Sequence, residues 1–240
     1  MRLISEDEIR KMIEEKPVKT FCIPKGKILS PAAKDYLNCH LIRIGTAKDR
    51  ARTPPRALYY DYKTGAPYSE KPECMTHMYG NRLVEKDAPM IRYRGKLDRL
   101  QAEIIMAEAV AAQSGESRKL IGDLEEMLRA SRELMRCELL KEPVNIERLL
   151  GLNHEELREH SHHTDRYYGV SVMEQPTYER GVCFAHLNLL RTSVRETEVL
   201  AAAAFREENG IGRTDIIEVL NRMSSAFHIM MCRYIAGEYR

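Results

Sequence analysis

From about residue 88 onward the apolar residues of this chain recur at three- and four-residue steps, and this pattern limits the fold more than any other feature. In residues 90–113 the stripe is Leu97, Leu100, Ile104, Ile105, Ala107 and Ala111. Residues 117–141 repeat it with Leu120, Ile121, Leu124, Met127, Leu128, Leu134 and Met135, and Pro143 ends it. Residues 179–208 and 214–238 give two more long helices, separated by Asn209, Gly210, Ile211 and Gly212, a glycine helix-stop signal. Between the two pairs, residues 145–150 and 154–160 read as short helical pieces and 165–178 as irregular. Each long segment has one apolar stripe that needs a partner. The expected fold is therefore mainly α, an up-down bundle of four or five helices over residues 89–240.

The first part of the chain differs. Residues 1–46 read as a small α+β N-terminal extension. A short helix over residues 5–15 opens with Ser5 and Glu8 in capping-box spacing. A strand-like TFCIP follows, then a turn at Gly26. Ser30 and Pro31 start a second helix, to about Asn38, and LIRI at 41–44 reads as a strand. Residues 47–88 have no periodicity, many tyrosines and prolines, and read as a long ordered loop or linker with a possible phosphate-binding segment.

Composition excludes several classes of function. The formal net charge is only +2, so no general field for nucleic acid or a membrane surface is expected. Cys22, Cys39, Cys74, Cys137, Cys183 and Cys232 show no CxxC and no regular spacing, which reads as reduced thiols of a cytosolic protein. The charged start MRLISEDEIRKMIEE reads as no signal peptide, and no apolar run approaches the length of a membrane span.

The strongest chemical signal is LNLLRTSVRETE at 187–198. Arg191, Arg195 and Glu198 fall at i, i+4 and i+7, one stripe beside the apolar stripe Leu187, Leu190, Val194 and Ala201. Such charges next to a buried seam are costly unless they are paired or bound to a charged ligand. Taken singly, each is an interhelical salt bridge; together they point to a site for a polyanion. The run SHH at 161–163 invites a metal reading. Adjacent helical histidines diverge, however, and Glu159 with His162 is the only Glu-x-x-His, half of what a di-iron bundle needs. Met223, Met230 and Met231 read as core packing.

Four segments together resemble the trimeric, five-helix corrinoid (cobalamin) adenosyltransferases: MTHMYGNRLVEKDAP (75–89), RGKLDRLQAEI (94–104), LNLLRTSVRETE (187–198) and LNRMSSAFHIMM (220–231). IPKGKILSPAAKDYL (23–37) resembles the N-terminal extension of the ethanolamine-utilisation branch. The resemblance implies transfer of the 5′-deoxyadenosyl group of ATP to the cobalt of cobalamin, with release of triphosphate, at sites between the subunits of a homotrimer. It implies a pair of Asp98 with Arg191 near the corrin. It places Arg195, Glu198 and Asn221 around ATP and its Mg2+, with Glu198 toward the metal. Thr76, Arg82 and Lys86 occupy the place of triphosphate contacts. His162 could meet the lower side of the corrin. Phe184, Tyr178 and Tyr168 are candidates for the aromatic that displaces the lower axial ligand. The implied partners are a flavin reductase and a cobalamin-dependent acceptor enzyme or microcompartment shell, with no nucleic acid and no membrane. The implied location is the cytoplasm or the interior of a bacterial microcompartment. A non-catalytic corrinoid carrier or chaperone with the same bundle is the alternative.

Two departures stand out. Some members of that branch carry a His and a Cys-Cys-x-x-Cys cluster before the Thr-His segment; here residues 60–73 hold neither Cys nor His. No structural transition-metal site is therefore expected, with Cys74 and His77 at most half of one. The Gly/Thr-rich phosphate loop of the propanediol branch is not recognisable either.

Overall fold

A computed structural model describes residues 2–15, 18, 20–40, 42–45, 58–171 and 175–240. The chain forms two compact units, Met1–Lys71 and Pro72–Arg240. The division lies inside the stretch read as a linker. Residues 47–57 of that stretch, and Leu41 of the LIRI strand, lie outside the described residues.

In the first unit β1 (Arg2–Ile4) leads into α1 (Glu6–Glu15). The Glu8 N–H donates to Ser5 Oγ at 3.4 Å and the Ser5 N–H to Glu8 Oε2 at 3.3 Å, the reciprocal cap the spacing predicts. β2 (Thr20–Cys22), β3 (Lys27–Leu29), α2 (Pro31–Cys39) and β4 (Arg43–Gly45) follow. Ser30 caps α2 by accepting the Ala33 N–H, and Pro31 supplies its fixed φ in the first turn. β1 pairs in parallel with β3 and β2 with β4. Ile4, Ile9, Phe21, Leu29, Ala33, Leu37 and Ile42 form a core of their own. β5 (Tyr59–Asp61) and β6 (Pro67–Tyr68) make an antiparallel hairpin, where the sequence reading had only irregular loop.

The second unit opens with another hairpin in that same misread stretch, β7 (Met75–Tyr79) and β8 (Arg82–Glu85). Its two-residue turn is Gly80–Asn81, with Gly80 at φ 53°. A Gly-Asn pair between short apolar runs is a recognised hairpin signal. Then come the two long helices α3 (Pro89–Gln113) and α4 (Arg118–Leu140), joined by a four-residue turn whose Ser117 caps α4. Residues 145–150 are not helical: β9 (Arg148–Leu149) and β10 (Leu152–Asn153) form a small hairpin. Leu150 and Gly151 both take positive φ at its turn. Glu126 Oε1 accepts the Leu150 N–H and Arg233 donates to the Leu150 carbonyl, so tertiary partners hold a turn that local propensity disfavours.

α5 (His154–His162) and α6 (Thr164–Tyr168) follow. Asn153 and Glu156 make a complete capping box at the start of α5. α5 carries Ser161 and His162 in its last turn. Asn153→Ala is expected to cost about 1 kcal/mol in urea denaturation; no measurable change would mean that α5 is held by packing alone.

α7 (Val182–Ala204) and α8 (Thr214–Ile235) close the bundle, joined by the hairpin of β11 (Arg206–Glu207) and β12 (Gly210–Ile211). Tyr93 at the start of α3 meets Phe205 at the end of α7, ring centroids 5.3 Å apart, so these helices are antiparallel. Asp123 near the start of α4 pairs with Arg233 near the end of α8 at 3.2 Å, so these are antiparallel too. With α3 also packed on α4 and α7 on α8, the four long helices form an up-down bundle, the mainly α fold expected. The predicted stripes bury Leu97, Leu100 and Ile104 of α3 and Leu187, Leu190 and Val194 of α7, together with Met223, Met230 and Met231. Ile105 is an exception, 45% exposed on the outside of α3.

Among the described residues no helix is long and apolar enough to cross a membrane. All six cysteines are free thiols.

At the start of α8, Arg213 donates to both oxygens of Asp215 at 2.9 Å, and the Val144 N–H donates to Asp215 at 3.0 Å. The Arg213 hydrogen bond, ahead of the Val144 contact, pulls the Asp215 carboxyl down to about 2. A carboxyl with a lowered folded pKa stabilises above its unfolded value near 4 and loses that contribution as pH falls through about 2. Wild type should therefore exceed Asp215→Asn in stability at pH 7, and the gap should close between pH 4 and 2. A gap independent of pH would show that the contacts, not the charge, stabilise.

Candidate active site

The charged stripe of α7 faces a matching stripe of α8. Asn221, Ser224, Ser225 and His228 follow one another at i, i+3, i+4 and i+7. With α7 against α8 and α5 against α8, a cavity of about 230 Å3 opens between the three helices. It is lined by Ser161, His162, Arg191, Arg195, Ser224, Ser225 and His228. The sequence reading found Arg191, Arg195 and His162 but missed His228 and the two α8 serines. Their spacing from Asn221 was the available signal.

Arg191 is half-buried, and its guanidinium donates to Asn188 Oδ1 at 3.2 and 3.0 Å. Burial, and after it the neighbouring Arg195 charge, push its pKa below the usual arginine value. Two guanidinium groups held together without a carboxylate in the lining are poised for an anion. Glu198, one turn further along α7, is half-buried, and burial pushes its pKa up. Arg195, a hydrogen bond with Asn221, and Arg222 oppose that shift. Arg222 Nη2 donates to Asn221 Oδ1 at 2.9 Å, so the Asn221 amide N–H side is turned to Glu198. His228 is half-buried, and its pKa is lowered by burial first, then by Arg191 and His162.

The remaining candidates fall elsewhere. Asp98 is exposed on α3 and makes no ion pair among the described residues, so the implied Asp98–Arg191 pair does not form within one chain. Its neighbours on α3 pair otherwise, Lys96 with Glu196 of α7 and Arg99 with Glu103. Phe184 is buried in the bundle core beside Tyr234, so it packs the fold and presents no face to a ligand. Tyr178 is 88% exposed, and Tyr168 pairs its hydroxyl with His160 Nδ1 at 2.9 Å. Thr76 and Arg82 lie in the β7–β8 hairpin, and Lys86 just beyond it pairs with Glu73 at 2.8 Å. His77 Nδ1 lies 2.9 Å from the Gly80 carbonyl across the hairpin turn. Among the described residues no three His, Cys, Asp or Glu side chains converge.

One cluster that sequence reasoning missed holds this end of the bundle together. Glu138 of α4, 1% exposed, accepts from Arg94 Nε at 2.7 Å and Nη2 at 2.8 Å, and from the Tyr79 hydroxyl at 2.8 Å. Arg94 Nη1 also donates to the Met78 carbonyl at 3.0 Å. The partners are 44 and 59 residues apart, so no local spacing reveals them.

An antiparallel bundle whose two late helices set paired arginines on one cavity, with a carboxylate and an amide one turn away, has the layout of an anion-handling helical bundle. The chain belongs to the cobalamin adenosyltransferase family, whose sequence pattern matches residues 68–234. It is similar to the "Corrinoid adenosyltransferase EutT" of Salmonella typhimurium, 34% identical over 176 residues, which is 71% of this chain and 62% of that protein. It is also similar to the protein of that name from Escherichia coli K12, 33% identical over 171 residues, 69% of this chain and 60% of that one. The chain thus spans about three fifths of the length of these relatives. No solved structure matches it.

Proposed function

We propose that the protein is a corrinoid adenosyltransferase, as its EutT relatives are named, transferring the 5′-deoxyadenosyl group of ATP to the cobalt of a corrinoid in ethanolamine utilisation. The observation that carries this is the cavity in which Arg191 and Arg195 of α7 face Ser224 and Ser225 of α8, one turn from Glu198 and Asn221. In the reaction cobalt(I) donates both electrons of the new cobalt–carbon bond to C5′. The C5′–O bond breaks, and its electron pair leaves on the triphosphate. No protein base is required. The protein's work is to hold C5′ against cobalt and to stabilise charge on the leaving group. Arg195, exposed at the cavity, is the guanidinium for that charge.

Glu198 suits a magnesium ion, because a half-buried carboxylate whose neutral form burial favours gains from a nearby cation, and Mg2+ accepts one carboxylate with water and phosphate oxygens. Bound there, the metal would neutralise phosphate charge. Retention of Glu198 and Asn221 beside Arg195 favours the enzyme over a corrinoid carrier that has lost ATP turnover.

The site is shared between subunits of a homotrimer. Among the described residues neither Asp98 nor Arg191 has an ion-pair partner, and the same two helices leave Ile105, Met106, Leu189 and Val199 exposed. Subunit contact would bring carboxylate to guanidinium and cover the apolar side chains. The partners proposed with this activity are a flavin reductase and a cobalamin-dependent acceptor enzyme or shell, in the cytoplasm or a microcompartment.

The test is an anaerobic assay with ATP and chemically reduced cobalt(I) corrinoid, reading the cobalt–carbon absorption, with light scattering for mass. Adenosylated product from a particle of three chains is expected. Tight ATP binding without product would leave the carrier alternative. A monomer with full activity would refute the shared site.

A further inference from the structure

We infer that Asn188 of α7 is a positioning residue: its amide oxygen fixes the guanidinium of Arg191 without neutralising it, and so keeps that charge available to Asp98 of the partner subunit. The inference rests on the shared site proposed above. Arg191 donates to Asn188 Oδ1 from Nε at 3.2 Å and from Nη2 at 3.0 Å. A guanidinium has five N–H groups in one planar fork. These two bonds take the edge formed by Nε and one N–H of Nη2. The outer edge, Nη1 with the second N–H of Nη2, makes no hydrogen bond among the described residues. That outer edge can receive a carboxylate through two parallel bonds. Asn188 lies one turn nearer the start of α7 and Arg195 one turn nearer its end. The bond therefore draws the Arg191 guanidinium in the direction away from Arg195.

The acceptor is an amide, and that choice has consequences. Positions i and i+3 of a helix are ion-pair spacing, so an acid at 188 would satisfy Arg191 within its own chain. α7 carries no Asp or Glu from Val182 to Arg195. Burial first, then the Arg195 charge, lowers the Arg191 pKa, and no carboxylate opposes them. Arg191 is thus hydrogen-bonded and half-buried but has no counter-charge, while Asp98 of α3 is exposed and makes no ion pair among the described residues. Leu189, beside Asn188, is 46% exposed and belongs to the apolar surface that subunit contact would cover. Closing that contact removes the water that could solvate a misdirected guanidinium, so its direction must be set beforehand by its own chain. Holding the fork in advance also spends its side-chain freedom before association and not during it.

The test joins sedimentation equilibrium of the full chain over a range of concentrations with the adenosylation assay. Asn188→Ala is expected to weaken subunit association about tenfold, the effect of losing one hydrogen bond to a charged group. It should lower kcat about tenfold and leave KM for ATP within about twofold, because Arg195 meets the phosphates. Asn188→Asp separates positioning from a merely structural bond, since it keeps the acceptor and adds a charge. Its new carboxylate should pair Arg191 within the chain and repel Asp98, so association and kcat should fall here too. Asp98→Asn should weaken association about tenfold in wild type, but leave it unchanged or strengthened in the Asn188→Asp background. Wild-type association and kcat in Asn188→Asp, or the same tenfold effect of Asp98→Asn in both backgrounds, would overturn the inference. A trimeric wild type that makes no adenosylated corrinoid would refute the proposed function, and the association measurements would still decide the role of Asn188. A monomeric wild type would overturn the shared site and this inference together.

Discussion

Replacing Arg195 with Ala is expected to lower kcat/KM for ATP by about 10²–10³-fold, roughly 3–4 kcal/mol of transition-state stabilisation. Corrinoid affinity should move by less than about threefold. Arg195 is exposed at a cavity that it shares with Arg191, and its charge is felt by the half-buried Glu198 one turn further along α7. Its guanidinium is thus free to turn its fork to phosphate oxygens, where charge collects as the C5′–O bond breaks. Arg195→Lys should recover only part of the loss, because an ammonium keeps the charge but not the two parallel donors. Steady-state rates with ATP, together with separate titration of the corrinoid, decide it. Equal losses in ATP use and corrinoid binding would mean that Arg195 serves the whole cavity.

The second large effect concerns stability. Arg94→Ala should cost about 3–5 kcal/mol, because it strands the Glu138 carboxylate in a site 1% exposed. At about 2–4 °C per kcal/mol for a chain of this size, the midpoint of thermal unfolding should fall by roughly 6–20 °C. The loss should lie in the uncompensated charge and not in the pair as such. Replacing Arg94 with Met, Glu138 with Leu and Tyr79 with Phe together should therefore return most of the stability. A single-variant cost under about 1 kcal/mol would show that water reaches Glu138. Because this cluster ties the β7–β8 hairpin to α3 and α4, the Arg94 variant should also loosen Thr76 and Arg82 on that hairpin. Amide exchange there should quicken.

What could be read in the sequence followed from periodicity. The four long helices, the caps at Ser5, Ser30 and Ser117, and the stripe Arg191, Arg195, Glu198 are all local, set by 3.6 residues per turn and by side chains reaching back three residues. The α8 stripe from Asn221 to His228 was equally local, and was overlooked because its histidine sits among core residues, Phe227 and Ile229. The hairpins were hidden for a different reason. Strands of two to five residues carry little alternation, and only the Gly80–Asn81 turn signalled one of them.

The sequence by itself determined the class of fold and which helix faces carry charge, because both depend on residues within two turns of each other. Only the tertiary structure decided which of those faces meet. It turned α7, α8 and α5 so that two arginines and two histidines share one cavity. It left Asp98 exposed and without an ion pair among the described residues, buried Phe184 in the core, and closed Arg94, Tyr79 and Glu138 into one cluster. The reason is physical. A side chain's charge and reach are fixed by its own chemistry, but its partner is fixed by how distant helices pack, and that is settled by the whole core at once.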